Sequence, residues 1–402
     1  MSSAGPLAGL TVIELAHIMA GPVCGRMLAD MGATVIKVER VPGGDTARGF
    51  IPPDIDGEPA AFMMMNRNKR GIAVDLKAEE GREIVRRLLT TADVLIENYR
   101  KGTMERLGLG YDELSADNPG LIYCEVSGFG RSGPLADLGG FDLVAQGMSG
   151  LMSITGESPD RPPVKCGPPV TDITAGILAA MGTLAAIVER TQSGKGQRVD
   201  TSLFEAGITQ TFWQSAIALA TGESPGPMGS AHPLNAPYEA FQTKDGWLTL
   251  GGSSQVVWKR LPAVLERPEL LDDPRFDENQ HRMTHRAELH EALSSAFATR
   301  TTADWLERLE AAGVPAGPVL SIGQMLEHPQ TRARDMVLST RHSTLGDTET
   351  LGFPVKFSKT PASIKAGAPT LGEHTVEVLL DLGYSQAAIE RLLDEGVVAG
   401  GE

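Results

Sequence analysis

Between residues 10 and 127, short apolar runs alternate with amphipathic helical ones, and this alternation constrains the fold more than any other feature of the chain. Leu10–Leu15 reads as a strand, His17-Ile-Met-Ala-Gly-Pro22 as the turn after it, Val23–Met31 as a helix closed by Gly32, and Thr34–Val38 as the next strand. Strands recur at Gly71–Leu76, Asp93–Glu97 and Leu121–Ser127, with helices over 78–91 and 111–118. Alternation of this kind predicts an α/β fold, a doubly wound parallel sheet with helices on both faces. The first β-α-β unit has no GxGxxG, so the usual dinucleotide fingerprint is missing. A nicotinamide-dependent oxidoreductase is therefore supported only by analogy of fold.

Ligands of such sheets bind beyond the carboxyl ends of the strands. Arg40 follows the second strand and Lys77 the third; Asn98, Tyr99, Arg100 and Lys101 follow the fourth, with Arg106 just beyond. The run Asn66-Arg-Asn-Lys-Arg70 precedes the third strand. The chain as a whole is acidic, with a net charge of −15 over 402 residues, and a pI of about 5.1. That balance argues against nucleic acid or an anionic membrane surface as a partner. Cations gathered at strand ends in such a chain point instead to a long ligand bearing several phosphates.

The stretch from Pro162 to Met181 carries the strongest local signal in the second half. Two proline pairs and Gly167 hold the approach extended, and Asp172 then precedes Ile173, Ile177, Leu178 and Met181 at helical spacing. Asp172 has two readings, a helix N-cap or a nucleophilic carboxylate on a rigid element. The small residues Gly176, Ala179, Ala180 and Gly182 would let another backbone approach this helix. The segment is short and interrupted by Gly and Thr, so it reads as a buried helix and not as a membrane span. Arg198–Leu203 reads as a strand feeding a helix to about Ala220, and Gly222–Ser230 as a Gly/Pro-rich linker. A second α/β unit follows, with a strand at Gly246–Leu250 and helices over 255–265, 286–298 and 303–312. The expected organisation is a large domain over 1–221, the linker 222–230, a small domain over 231–325, and a segment 326–402 that returns to the large domain.

Other constellations are weaker. His281, His285 and His290 fall on one candidate helix, but HExxH is absent and no acidic third ligand is evident, so no metal is expected. Cys166 has no identifiable base, and Ser253 and Ser254 lack a Gly-x-Ser-x-Gly context. Gly251-Gly252 reads either as a mobile lid or as a strand-ending turn. The three cysteines have no CxxC spacing and the N-terminus shows no leader pattern, so a cytoplasmic setting is expected.

Taken together, the stretches Ala20-Gly-Pro22, Gly32-Ala33, Val35–Arg40, Gly44-Asp45, Asn66 with Asn68-Lys-Arg70, Glu97-Asn98, Gly108, Asn118-Pro119, Ser127-Gly128, Asp172, Gly194–Gln197, Gly317–Val319 and Leu371–Thr375 resemble the class III CoA-transferases. The resemblance covers the chain from about Pro6 to about Val398. It implies that Asp172 is the acyl-accepting nucleophile. It implies CoA contacts at His17, Ile18, Met19 and Ala20, at Arg40 for the adenine and phosphate end, and at Val74, Lys77, Asn98, Tyr99 and Arg106. It implies coenzyme A as substrate with no tightly bound cofactor, a carboxylic acid acceptor, and an interlaced homodimer.

Formyl-CoA transferases have Gln where Met19 stands, and a longer glycine run at the small-domain loop than Gly251-Gly252. The difference at Met19 counts against a formyl or oxalate substrate. The stretches from Glu373 to Val398, and Ala231-His232 with Pro237-Tyr238, look like the dicarboxylate-using branch. The alternative on the same fold is an α-methylacyl-CoA racemase. Those enzymes have Gly-His-Asp where this chain has Gly140-Phe141-Asp142, and phenylalanine is neither acid nor base.

Overall fold

The computed structural model describes residues 5–400. The chain divides into two compact units. The first takes in the chain up to Gly150, then Cys166–Gln210, then everything from Pro329 onward; the second comprises Leu151–Lys165 and Thr211–His328.

The first unit is built on a seven-stranded sheet. Its strands are β1 (Thr11–Leu15), β2 (Thr34–Arg40), β3 (Lys69–Val74), β4 (Val94–Glu97), β5 (Ile122–Ser127), β6 (Arg198–Ser202) and β7 (Val398–Ala399), in the spatial order β7-β3-β2-β1-β4-β5-β6. β1 to β6 run parallel; β7 pairs antiparallel with β3 through Val398 opposite Val74. The expectation of an all-parallel sheet is corrected at that edge: two residues at the end of the chain carry no strand periodicity to read. Strand order reverses between β1 and β4, which opens a crevice beyond the ends of those two strands.

Alternate residues of each buried strand serve opposite faces. Val12, Val35, Ile96 and Cys124 pack under helices α1 (Ala20–Asp30) and α5 (Val170–Ser193). Ile13, Ile36, Ile72 and Tyr123 pack under α2 (Glu79–Leu89), α3 (Tyr111–Asp117) and the returning helices Thr375–Asp381 and Gln386–Asp394. Two further helices of this unit are α4 (Asp142–Met148) and α6 (Leu203–Thr209). The helix expected from 203 to about 220 is interrupted at Gln210 and Thr211 and resumes at Phe212–Thr221.

α5 is long and apolar enough by length and composition to cross a membrane. Its small residues explain its place against the sheet. A Cβ on Gly176 would stand 2.6 Å from the Ala20 carbonyl oxygen, and one on Gly182 would stand 2.7 Å from Val199 Cγ1. The expected buried helix is thus buried on one face only; Ile177, Met181 and Val188 are exposed on the other.

The second unit carries a three-stranded antiparallel sheet, Tyr238–Gln242, Trp247–Gly251 and Ala316–Pro318. Its core gathers Phe241, Leu248, Trp258, Phe276, Phe297 and Trp305. The helix expected over 255–265 is two short ones, Gln255–Trp258 and Leu261–Val264, the second with Pro262 in its first turn. The helix expected to carry three histidines breaks at His285, and the three have separate partners: Asp277 for His281, Glu288 for His285, Glu239 for His290.

The first unit contains a fully buried charge network. Glu14 on the central strand β1 receives Lys37 at 3.0 Å on one oxygen and Lys69 at 2.8 Å on the other. Lys37 also reaches Asp45 at 2.9 Å and the Ala16 carbonyl at 2.8 Å. Arg67 pairs with Asp30 at 2.7 Å, also out of contact with water. Within the 66–70 run, Arg67 and Lys69 are therefore structural, and the reading of that run as ligand-facing cations is corrected for both. Glu14→Ala would leave two buried ammonium groups facing each other, and removing one partner of a buried pair costs about 3–5 kcal/mol. The expected outcome is a large fall in the urea midpoint of unfolding, with Glu14→Gln falling less; an unchanged midpoint in Glu14→Ala would contradict the pairing.

Candidate active site

β1 ends at Leu15, and the chain must turn sharply to enter α1 at Ala20. The turn is held by side chains from two other strands' ends. Asn98, just past β4, accepts the His17 N–H at 2.9 Å and donates to the His17 carbonyl at 2.8 Å. Asp45, past β2, accepts the Ile18 N–H at 2.9 Å. Ile18 has φ of 66°, a left-handed conformation that a β-branched residue adopts only when its surroundings impose it. Asp45 is itself fixed by Lys37 and by the Ala47 N–H, and its own N–H donates to Glu39 at 2.9 Å. Glu39 holds Arg48 through two bonds of 2.7 Å.

His17, Arg40 and Tyr99 line one recess together with Ala16, Val38, Glu39, Gly44, Asp45 and Thr46. The His17 and Tyr99 rings stack with centroids 5.9 Å apart. Burial is the largest influence on His17 and pulls its pKa below the usual histidine value, favouring the neutral ring. Arg40 is exposed at the end of β2 and, among the described residues, spends only its Nε, on the Gly44 carbonyl at 2.9 Å. Met19 packs against the cluster of Ala47, Phe62, Met65 and Ala368, and Ala20 is the buried first residue of α1. Val74, Lys77 and Arg106 stand outside the recess lining. Val74 is buried at the end of β3; Lys77 is exposed in the loop after it; Arg106 donates to Thr103 Oγ1 at 2.9 Å.

Asp172 is not the N-cap of α5. The helix begins at Val170 with Pro169 in the cap position, and Asp172 lies inside the first turn. A different carboxylate serves this helix start: Asp142 of α4 accepts the Thr171 N–H at 3.0 Å and the Thr171 hydroxyl at 2.8 Å on one oxygen. Its other oxygen accepts Gln146 Nε2 at 2.8 Å. The Asp172 carboxylate has no hydrogen bond or ion pair among the described residues and is half-buried. Burial, and secondarily the Asp142 charge, push it up to about 7. Asp172 lies four residues before Gly176, hence on the same helix face and just over one turn, about 6 Å, along the axis. The Gly176 contact with Ala20 therefore brings Asp172 toward the start of α1.

Sequence reasoning missed Asp142 as a neighbour of Asp172 because 30 residues and a loop separate them. In the second unit, Gly251 is the last residue of its strand, and the Gly252 N–H donates to the Pro237 carbonyl at 3.0 Å. Among the described residues, no group of three or more His, Cys, Asp or Glu side chains is placed to hold a metal.

A titration follows from this geometry. Asp172 should titrate near pH 7 when its carboxyl carbon is followed by NMR, and Asp142→Asn should lower that value, since removing a neighbouring negative charge favours the ionised form. A wild-type value in the ordinary carboxylate range would contradict the desolvated setting.

The sequence profile of CoA-transferase family III matches residues 7–375. A succinate–glutarate CoA-transferase of Agrobacterium fabrum is 41% identical, over 94% of this chain and 96% of its own length. An acetyl-CoA:oxalate CoA-transferase of Acetobacter aceti is 39% identical, over 92% of this chain and 94% of its own. Among solved structures, a CAIB/BAIF family protein of Brucella suis superimposes with a TM-score of 0.84 at 39% identity, covering 94% of this chain and 100% of that one. The chain is an enzyme that belongs to CoA-transferase family III.

Proposed function

We propose that this enzyme moves coenzyme A from an acyl-CoA thioester to a carboxylic acid, with Asp172 as the covalent nucleophile. The observation that carries the reading is the Asp172 carboxylate, half-buried and without a hydrogen bond or ion pair among the described residues, on the helix face that packs against the start of α1. A carboxylate with a pKa near 7 is more basic, hence more nucleophilic, than an ordinary aspartate, and a substantial fraction is ionised at neutral pH.

The proposed steps balance without a redox change or an added proton. An Asp172 oxygen attacks the donor carbonyl, the carbon–sulfur bond breaks, and CoA leaves as thiolate. The thiolate attacks the aspartyl carbonyl of the resulting mixed anhydride; the donor acid departs and an aspartyl-CoA thioester remains. The acceptor carboxylate attacks that thioester and expels the thiolate again. The thiolate then attacks the acceptor's carbonyl in the second anhydride, giving acceptor-CoA and free Asp172. One thioester is consumed and one formed. The His17–Arg40–Tyr99 recess is proposed to take the nucleotide end of CoA, with Arg40 offering charge-assisted bonds to phosphate. A dicarboxylate acceptor is the narrower proposal, supported by the succinate, glutarate and oxalate in the names of similar enzymes. The oxalate enzyme among them weakens the case against oxalate that rested on Met19.

The racemase alternative finds no support at Phe141, whose exposed side chain carries no ionisable group. A homodimer is proposed as the working form. The exposed apolar row Ile177, Met181 and Val188 on α5 gives a second copy a surface to cover. A reducing, cytoplasmic setting is proposed on the few, scattered cysteines Cys24, Cys124 and Cys166, which show no CxxC spacing.

Asp172→Asn keeps the shape of the side chain and loses the nucleophile, so transfer should fall by several orders of magnitude, roughly 10⁴-fold or more, with the melting temperature little changed. Wild type incubated with acyl-CoA and hydroxylamine should be modified at Asp172, as read by mass spectrometry, and the variant should not. Retained transfer in Asp172→Asn, with deamidation excluded, would overturn the mechanism. The donor and acceptor are found by running a panel of acyl-CoA donors against mono- and dicarboxylic acids. For assembly, light scattering should give the dimer mass, and Met181→Glu should weaken or abolish it; a wild-type monomer at micromolar concentration would contradict the proposal.

A further inference from the structure

Glu97, Glu125 and Asp200 sit level with one another on β4, β5 and β6, as successive register partners. Neighbouring strands lie about 4.8 Å apart, so three carboxylates in such a row repel unless something neutralises them. Glu97 and Glu125 are buried as well. Arg131, from the loop after β5, lies across all three. Its Nη2 pairs with Glu97, its Nε stands 3.0 Å from Glu125 Oε1, and its backbone N–H donates to Asp200 at 3.0 Å.

The remaining guanidinium nitrogen has a different target. Arg131 Nη1 donates to the Tyr99 carbonyl at 2.9 Å, while the Tyr99 N–H donates to Glu97 Oε2 at 2.7 Å. Both peptide groups of Tyr99 are therefore held by the two members of one ion pair. The adjacent Asn98 holds both peptide groups of His17, and the Tyr99 ring stacks on the His17 ring. We propose that Arg131 is a positioning residue for the acyl-CoA site: it fixes the Asn98–Tyr99 segment, and through it the His17 turn, without touching the ligand.

The inference rests on the recess beside Tyr99 being the acyl-CoA site. A planar guanidinium can reach two carboxylates and a carbonyl in fixed directions, which an ammonium cannot. Burial pushes Glu97 up to about 7 even with Arg131 opposing it, so removing Arg131 would raise it further, and the Tyr99 carbonyl would lose its donor. The competing role for Arg131 is neutralisation alone. Arg198 supplies the comparison, since it pairs with Glu125 at 2.8 Å and has no bond to Tyr99.

The test compares Arg131→Met, Arg131→Lys, Arg198→Met and Glu97→Gln for KM of acyl-CoA, kcat and melting temperature. Arg131→Met should raise KM on the order of tenfold, with kcat at saturation falling less than about threefold. Arg131→Lys should recover part of the KM, and Arg198→Met should leave KM unchanged whatever it does to melting. Equal KM in Arg131→Met and Arg198→Met, or a loss confined to melting temperature, would overturn the proposal. If Arg131→Met does not fold, Glu97→Gln decides: it keeps an acceptor for Tyr99 but removes the charge that anchors Arg131, so its KM must rise, and an unchanged KM overturns the proposal. Wild type that binds no acyl-CoA by calorimetry refutes the functional reading itself, and this inference with it, before any variant is considered.

Discussion

The first unit depends on one buried carboxylate. Glu14 lies in the central strand, with its nearest neighbours on two further strands' lysines, and water reaches none of the three. Burying an ion costs several kcal/mol, and mutual attraction offsets that only when the geometry is close and the remaining hydrogen-bonding sites are filled. The close geometry is met here. Each Glu14 oxygen has its own ammonium, and Lys69 is completed by the Pro22 carbonyl and Asn66 Oδ1. Gly25 makes the room: a Cβ there would stand 1.8 Å from Glu14 Oε2. α1 can cross the sheet at this point only because it has a glycine where it passes over the ion pair.

The same network reaches the candidate site. Lys37 bridges Glu14 and Asp45, and Asp45 holds the Ile18 N–H in the left-handed turn. Placing a β-branched residue there costs about 1–2 kcal/mol. The strain persists because the charges that oppose it are buried and fully paired. In physical terms the turn that leads into α1 is shaped before any ligand arrives. Pre-organisation of this kind spares a ligand the cost of ordering the loop it binds.

The parallel sheet was legible because its strands are apolar on both faces and alternate with amphipathic helices of ordinary length. Asp172 stood out through its place before a helix of small and apolar residues, and of its two readings the N-cap is the one the structure overturns. The cap reading of Asp172 looked only at neighbours in sequence, whereas Thr171, one residue earlier, is bonded to Asp142 from α4. Lys69 and Arg70 show the same limit: adjacent strand residues point to opposite faces, so one is buried against Glu14 while the other pairs with Glu377 and Asp381 nearer the surface. Composition cannot separate them. Arg131 was missed for a further reason, since its partners come from three strands whose pairing register is not written locally in any of them.

α5 joins these observations. Its inward face is made of Gly176, Ala179, Ala180 and Thr183, so its distance from α1 and the sheet is fixed by backbone contacts and not by flexible side chains. Asp172, the proposed nucleophile, lies one turn before that contact and would inherit its precision, which a covalent step requires of a side chain with few rotamers to search. Bulkier inward residues would have packed well enough for stability, but they would have moved Asp172 away from the start of α1. The outward face of the same helix is free of that constraint and is correspondingly large and apolar. The two faces of one helix therefore differ in kind, close approach through small residues on one side and large exposed apolar side chains on the other.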